Sequence, residues 1–241
     1  MYIKKNKFNL SKDVFYDFHC HVDLSTVGTR CLVNKRLAYS KELPPVANGL
    51  YSIGLHPYDV LLLLSHLNNK DVFFELMEDF ITRYPVFAIG ECGLDSRLLC
   101  EVPLSTQLEV LGWHYELAHR LKLPVVLHLV RLHAEFLEFY KRHPEFHSVK
   151  TVVHGFNKSV ALASKFLDYG ILLSFGSDLL KSSNLQACFL NMPMSHILLE
   201  TDDQTEISIE SVYAKAALIK AITITDLKLV IFNNLDKISD S

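Results

Sequence analysis

The sequence predicts an α/β barrel of eight parallel strands, and three observations carry that expectation. Short apolar runs alternate with stretches of helical periodicity along the chain. The runs are apolar on both faces, as strands of a parallel sheet covered by helices must be. Several of them end in a residue able to hold a metal ion or move a proton: Asp17-Phe18-His19-Cys20-His21, Tyr51 to His56, Val86 to Glu91, Val125 to His128, Thr151 to His154 and Ile197 to Asp202. A parallel barrel keeps its functional groups at the strand C-termini, whereas a doubly wound sheet gathers them at one switch point. With 241 residues, 49% of them apolar, the chain suits one barrel domain over residues 1–241.

The elements follow in order. Val14, Phe15 and Tyr16 open the first strand, whose alternation puts His19 and His21 on one face and Cys20 on the other. Asp23 to Asn48 offers only a short apolar piece around Cys31 to Val33 before the turn-rich Pro44-Pro45, which predicts an abbreviated second strand. Tyr51 to Leu55 reads as the third, stopped by His56-Pro57. The leucine run 61–64 and the segment Val72 to Tyr84, with Phe73, Leu76, Met77 and Phe80 at helical spacing, read as helix up to Pro85. Val86 to Ile89 is then a strand, followed by a loop through Asp95 and Arg97. A long helix comes next, with the stripe Leu104, Leu108, Leu111, Tyr115 and Ala118. His114 and His119 lie off that stripe and read as solvated surface histidines. Strands ending at His128 and His154 flank a helix from about Leu132 to Arg142. A helix over Ser159 to Tyr169 stops at Gly170, a residue type suited to a C-cap. The strand 171–175, a helix near 179–190, the strand 197–199 and two final helical segments complete the chain, with no repeat.

Composition narrows the function. The net charge of −3 and the scattered lysines and arginines provide no broad basic face for sequence-independent nucleic-acid binding. The basic start, residues 1–7, lacks an apolar core, and no later run is long enough to cross a bilayer, so a cytoplasmic protein is expected. Five cysteines without a C-x-x-C spacing predict reduced thiols. No obligate protein partner is indicated.

His19, His21, Glu91, His128, His154 and Asp202 supply four imidazoles and two carboxylates, a mixture suited to zinc, manganese, iron, cobalt or nickel. Six donors exceed what one four-coordinate ion with an open position can use. Two divalent ions sharing a carboxylate use them all, with a second carboxylate to accept a proton from the attacking water. Glu91 follows four apolar residues and Gly90, where an unpaired carboxylate is costly to bury. Asp202 also has a plain alternative as a helix N-cap, and Glu200 competes with it as a ligand, although Glu200 should face the opposite way from Thr201. Cys20 and Cys92 read as packing residues. His133, His143 and His147 read as surface, and Lys158 and Arg97 as solvated cations. His196 precedes its strand and belongs to the barrel's opposite end.

The series Asp17-Phe-His-Cys-His21, Gly54-Leu-His-Pro57, Ile89-Gly-Glu-Cys-Gly-Leu-Asp95, Gln107, Leu123 to His128, Val153-His-Gly-Phe156 and Leu199-Glu-Thr-Asp202 resembles the TatD family of metal-dependent hydrolases. The resemblance implies an amidohydrolase-like TIM barrel and a divalent-metal deoxyribonuclease or related phosphodiesterase, with zinc, manganese or magnesium as its ions. It places His19 and His21 on one ion, Glu91 between the two and His128 and His154 on the second. Asp202 would be both ligand and base, and His56 and Asp95 would line the site. Three features depart from the family pattern: a shortened second βα unit, Arg131, the candidate phosphate ligand among the substrate-binding residues, standing three residues after His128 instead of two, and no proline-containing loop after Asp202. Hydrolysis of a small ester, lactone or amide, and a non-catalytic metal-binding scaffold, are the competing readings.

Overall fold

A computed structural model of the chain describes residues 10–39, 42–43, 49–62 and 70–239. Its frame is an eight-stranded sheet in sequence order, every neighbouring pair parallel. The strands are β1 (Phe15–Cys20), β2 (Thr29–Arg36), β3 (Leu50–Gly54), β4 (Val86–Asp95), β5 (Val125–Val130), β6 (Thr151–Val153), β7 (Leu172–Phe175) and β8 (Ile197–Leu199). The helices are α1 (Lys70–Arg83), α2 (Leu104–Leu121), α3 (His133–Arg142), α4 (Val160–Leu167), α5 (Ser183–Asn191), α6 (Ile209–Lys220) and α7 (Ile224–Ser239). No helix among the described residues is long and apolar enough to cross a membrane.

The barrel closes between β8 and β1 largely through a side chain. Asp17 accepts hydrogen bonds from the Thr201 amide at 2.9 Å and its hydroxyl at 2.6 Å. The Asp202 amide then donates to the His19 carbonyl at 2.8 Å. A carboxylate thus supplies acceptors where β8 has run out of ladder, and burial pushes Asp17 up to about 7 against the Thr201 bonds.

Two expectations need correction here. The second strand is not abbreviated: it runs for eight residues. What is short is the connection before it, since residues 21–28 contain no helix and return directly to β2. The sequence concealed this because β2 carries Asn34, Lys35 and Arg36, polar residues that break its apolar pattern. The fourth strand does not stop at Ile89 but continues to Asp95 with every residue buried. Gly90 and Gly93 make that possible, because their φ angles of +135° and +150° suit glycine alone and a Cβ on either would strike the backbone of β5.

Elsewhere the helical readings hold with shifted boundaries. The helix expected near 179–190 is a 3-10 turn over Ser177–Leu180 followed by α5, whose N-cap Ser182 accepts from the Leu185 amide. Of the leucine run 61–64, residues 61–62 are helical. Leu63 and Leu64, the basic start and Pro44-Pro45 lie outside the described residues.

His114 is a further correction. It is fully buried, its Nδ1 donating to the Val110 carbonyl at 2.7 Å and its Nε2 accepting from the Leu55 amide at 2.9 Å. It continues a second stripe, Gln107, Leu111, His114 and Ala118, that the leucine pattern hid. Burial pushes its pKa down to about 4. Because the unfolded histidine titrates near 6.5, the unfolded chain takes up the proton first, and stability is lost as pH falls from about 6.5 to about 4. Urea unfolding at pH 7 and pH 4 should show the wild type losing on the order of 3 kcal/mol more than His114→Gln. Equal losses would remove His114 as the cause.

Candidate metal centre

The strand ends bring the six expected donors together. His19 leaves β1 fully buried, and His21, one pleat further, lies at the mouth with 37% of its side chain exposed. Asp202, just after β8, has φ +58°, a left-handed conformation that aspartate tolerates better than most residues and that turns its carboxylate over the end of β1. Its Oδ1 lies 3.2 Å from His21 Nε2 and 3.6 Å from His19 Nε2. Glu91 occupies the centre. Its Oε2 is 3.7 Å from His19 Nε2, and its Oε1 is 2.8 Å from both His128 Nδ1 and His154 Nε2.

The electrostatics follow from this crowding. Burial and the neighbouring His154 push His19 down to about 3, so its imidazole is neutral, the form that binds metal. Burial opposes charge on His154 and His128 as well. Glu91 with Glu200 at His154, and Asp95 with Glu91 at His128, outweigh it and raise both. Burial pushes Glu91 up, but the imidazoles overcome this and hold it well below the carboxylate range. Asp202 is lowered in the same way, with His21 outweighing its burial.

A divalent ion fits this donor set. Both ring nitrogens of His19 are buried without a hydrogen-bond partner, an expensive arrangement unless something else binds them. Donor atoms of His19, His21 and Glu91, and separately of His19, His154 and Asp202, lie within 4.8 Å of one another. His56, Glu91 and His128 form a similar group, but His56 is poorly suited to bind. Its Nδ1 accepts from the Tyr58 amide at 3.1 Å, leaving the proton of the neutral ring on Nε2, which points at Glu91 Oε1 from 3.5 Å. Burial keeps that ring neutral by lowering its pKa, despite Glu91. An ion pair between Arg36 and buried Asp59 ties the end of β2 to the turn carrying His56.

Asp95, at the end of β4, is buried with its Oδ2 3.1 Å from His128 Nε2, and it also binds Arg97. Gln107 holds that strand end, accepting from the Asp95 amide at 2.7 Å and donating to its carbonyl at 3.1 Å. Arg131 is exposed after β5 with φ +60° and is not brought onto the carboxylates.

Two buried residues escaped sequence reasoning. Asn34 of β2 donates through Nδ2 to Glu91 Oε2 at 2.9 Å and accepts the Glu91 amide at 2.9 Å, so one side chain fixes both ends of that glutamate. A polar residue near the end of a strand was its only signal, the same signal that marked the histidines. Glu200, weighed only as a rival to Asp202, accepts the Gly155 amide at 2.6 Å and lies 3.6 Å from His154 Nδ1. It supports a histidine while Asp202 faces two others. Cys20 and Cys92 are buried, their thiols directed at the Leu32 and Val126 carbonyls at 3.6 and 3.9 Å, as expected of packing residues.

Imidazoles and carboxylates at the C-terminal mouth of a parallel barrel define a metal-dependent hydrolase. The chain belongs to the TatD related DNase family, whose family model matches residues 19–239. It is 33% identical over 214 residues to YjjV, described as an uncharacterized metal-dependent hydrolase of Escherichia coli (strain K12), covering 78% of each chain. The crystal structure of that TatD homolog superposes with a TM-score of 0.70 at 25% identity, covering 93% of this chain and 97% of the other. The chain is also 28% identical over 218 residues to the 3'-5' RNA nuclease TATDN2 of Homo sapiens, covering 78% of this chain and 28% of that one. To the deoxyribonuclease Tat-D of Schizosaccharomyces pombe it is 24% identical over 155 residues, covering 63% and 50%.

Proposed function

We propose that the chain is a single-domain cytoplasmic phosphodiesterase that uses two divalent ions (zinc, manganese or magnesium) to cleave nucleic acid, with DNA ends as the leading substrate. The observation that carries this reading is the placement of Glu91. One of its oxygens faces His19 while the other faces His128 and His154, so a single carboxylate is available to two ions. The nuclease names of two relatives support the substrate class. The five unpaired cysteines suit a reducing compartment.

Bound ions would lower the pKa of water and stabilise charge developing on a phosphate. The chain's own groups divide the remaining work. His19, His21 and Asp202 hold one position, and His128 and His154 the other. Asp202 is the proton acceptor, because its carboxylate is 38% exposed at the mouth while that of Glu91 is 4% exposed. His56, with its proton fixed on Nε2, donates a hydrogen bond to Glu91 or to a phosphate oxygen entering beside it. Asp95 and Glu200 keep the His128 and His154 rings in orientation, as outer partners of ligating histidines do. Arg131 adds positive charge at the end of β5.

The test is hydrolysis of end-labelled single- and double-stranded DNA, with RNA in parallel, by metal-stripped protein before and after adding Mg²⁺, Mn²⁺ or Zn²⁺. Restored cleavage is expected, with Asp202→Asn slower by about a hundred- to a thousandfold, the scale seen when a preorganised catalytic group is removed. Two bound equivalents of metal with every nucleic acid left intact would transfer the assignment to small esters, lactones or amides. Bound metal without turnover of any substrate would leave a scaffold.

A further inference from the structure

The cations around the mouth of the barrel differ in what holds them. Arg36 is paired with the buried Asp59, Lys158 donates to the Asn157 side chain, and Arg131 stands exposed on its left-handed turn. Lys181 lines a recess beyond β6, β7 and β8 that also holds Asp178, Glu200 and Asp203, carboxylates that repel a phosphate. Arg97, expected from sequence to be a solvated cation, is instead fastened to the centre. Its amide donates to Asp95 Oδ1 at 2.9 Å, its Nε to Oδ1 and Oδ2 at 2.9 and 3.0 Å, and its Nη2 to Oδ2. Asp95 is fully buried, and its Oδ2 is also 3.1 Å from His128 Nε2.

Arg97 is held along one edge only. A guanidinium carries five N–H donors in a planar fork, and Asp95 takes those of Nε and of the near side of Nη2. The other edge, formed by Nη1 and the far side of Nη2, has no hydrogen-bond partner among the described residues. The side chain is 50% exposed, with its guanidinium carbon 5.5 Å from the ring centroid of the half-exposed Tyr58. Two parallel N–H groups in such a fork match two oxygens of one phosphate. Because Asp95 already fixes the side chain, little of its rotamer freedom remains to be lost on binding.

We propose that Arg97 clamps, through this open edge, the phosphate adjoining the one that is cut. The proposal rests on the nucleic-acid reading above and adds the contact that sets the strand in register. A carboxylate and an imidazole stand between Arg97 and Glu91, so the phosphate held at the centre is not the one that Arg97 meets. The carboxylates of the recess across the mouth turn the backbone away from that side and towards the end of β4.

The experiment uses the full chain carrying Asp202→Asn, so that bound DNA survives, with a fluorescein-labelled single-stranded oligonucleotide and Mn²⁺ present. Each internucleotide phosphate is replaced in turn by an uncharged methylphosphonate, and wild-type protein reports which linkage is cut. Adding Arg97→Ala should weaken binding about tenfold, the scale of a hydrogen bond to a charged group, and lower the slope of log affinity against log salt by about 0.7. A methylphosphonate at one linkage adjoining the cut one should cost the Arg97 protein a similar factor and make no difference to the Arg97→Ala protein. Arg97→Lys, which keeps the charge without the fork, should restore the slope but not the full affinity. If the penalty survives Arg97→Ala, or the penalty that Arg97→Ala abolishes falls on the cut linkage itself, the clamp is wrong while the nuclease reading stands. A lower manganese content in the Arg97→Ala protein would make Arg97 a support for Asp95 and overturn the clamp as well. If wild-type protein neither binds nor cuts any oligonucleotide, the nuclease reading fails and the clamp fails with it.

Discussion

Exchanging Glu91 for glutamine is expected to lower metal-dependent turnover by at least about a thousandfold, well beyond the 10–100-fold typical of residues that only orient a ligand. The two side chains have the same shape, but the amide offers one neutral oxygen where the carboxylate offers two charged ones. Glu91 faces His19 on one side and His128 and His154 on the other, so its loss affects both metal positions. The metal-free protein should nonetheless remain folded. Removing one partner of a buried ion pair is costly when the other must keep its charge, but the partners here are imidazoles, which can release their protons. Metal analysis after dialysis, together with circular dichroism, separates these effects. The expected result is a native spectrum with fewer than two bound equivalents. Retention of two equivalents and activity within tenfold of wild type would remove Glu91 from the centre.

Gly93→Ala should have the largest effect on stability, a loss exceeding about 4 kcal/mol, in the range reserved for severe backbone or packing conflict. A Cβ on Gly93 would lie 1.9 Å from the His128 carbonyl oxygen, and φ of +150° is unfavourable for alanine whatever space is found. Relief requires β4 to move away from β5 at the residue that carries His128. For a chain of this size the expected fall in melting temperature is roughly 8–16 °C, accompanied by weaker metal binding. Gly112→Ala is the control. Gly112 lies within α2, and nothing would come within 4 Å of its Cβ, so alanine there should stabilise by about 0.5–1 kcal/mol. A Gly93→Ala protein as stable as the wild type would mean that the two strands tolerate separation.

The legible part of the site consists of residues whose position relative to a strand end could be counted. His19, His21, Glu91, His128, His154 and Asp202 each close an apolar run, and all six converge at one mouth. Asn34 and Glu200 were harder to read because their task is to meet groups 57 and 45 residues away in sequence, respectively. His114 was misread for a related reason. Its partner is the Leu55 amide, 59 residues distant, and helical periodicity says which face a residue occupies without naming the polar group buried under it.

Sequence alone determined the alternation of strand and helix, the parallel barrel and the chemistry gathered at its mouth, because these depend on periods of two and of about 3.6 residues and on the kinds of side chain at strand ends. The tertiary structure decided how far β2 and β4 extend, that Asp17 closes the seam to β8 and that Asn34 fixes Glu91. It also decided that the proton of His56 faces inward and that Tyr58 is held against His56 and Arg97. Each of these is set by the distance between groups far apart in the chain, and such distances exist only once the barrel has closed.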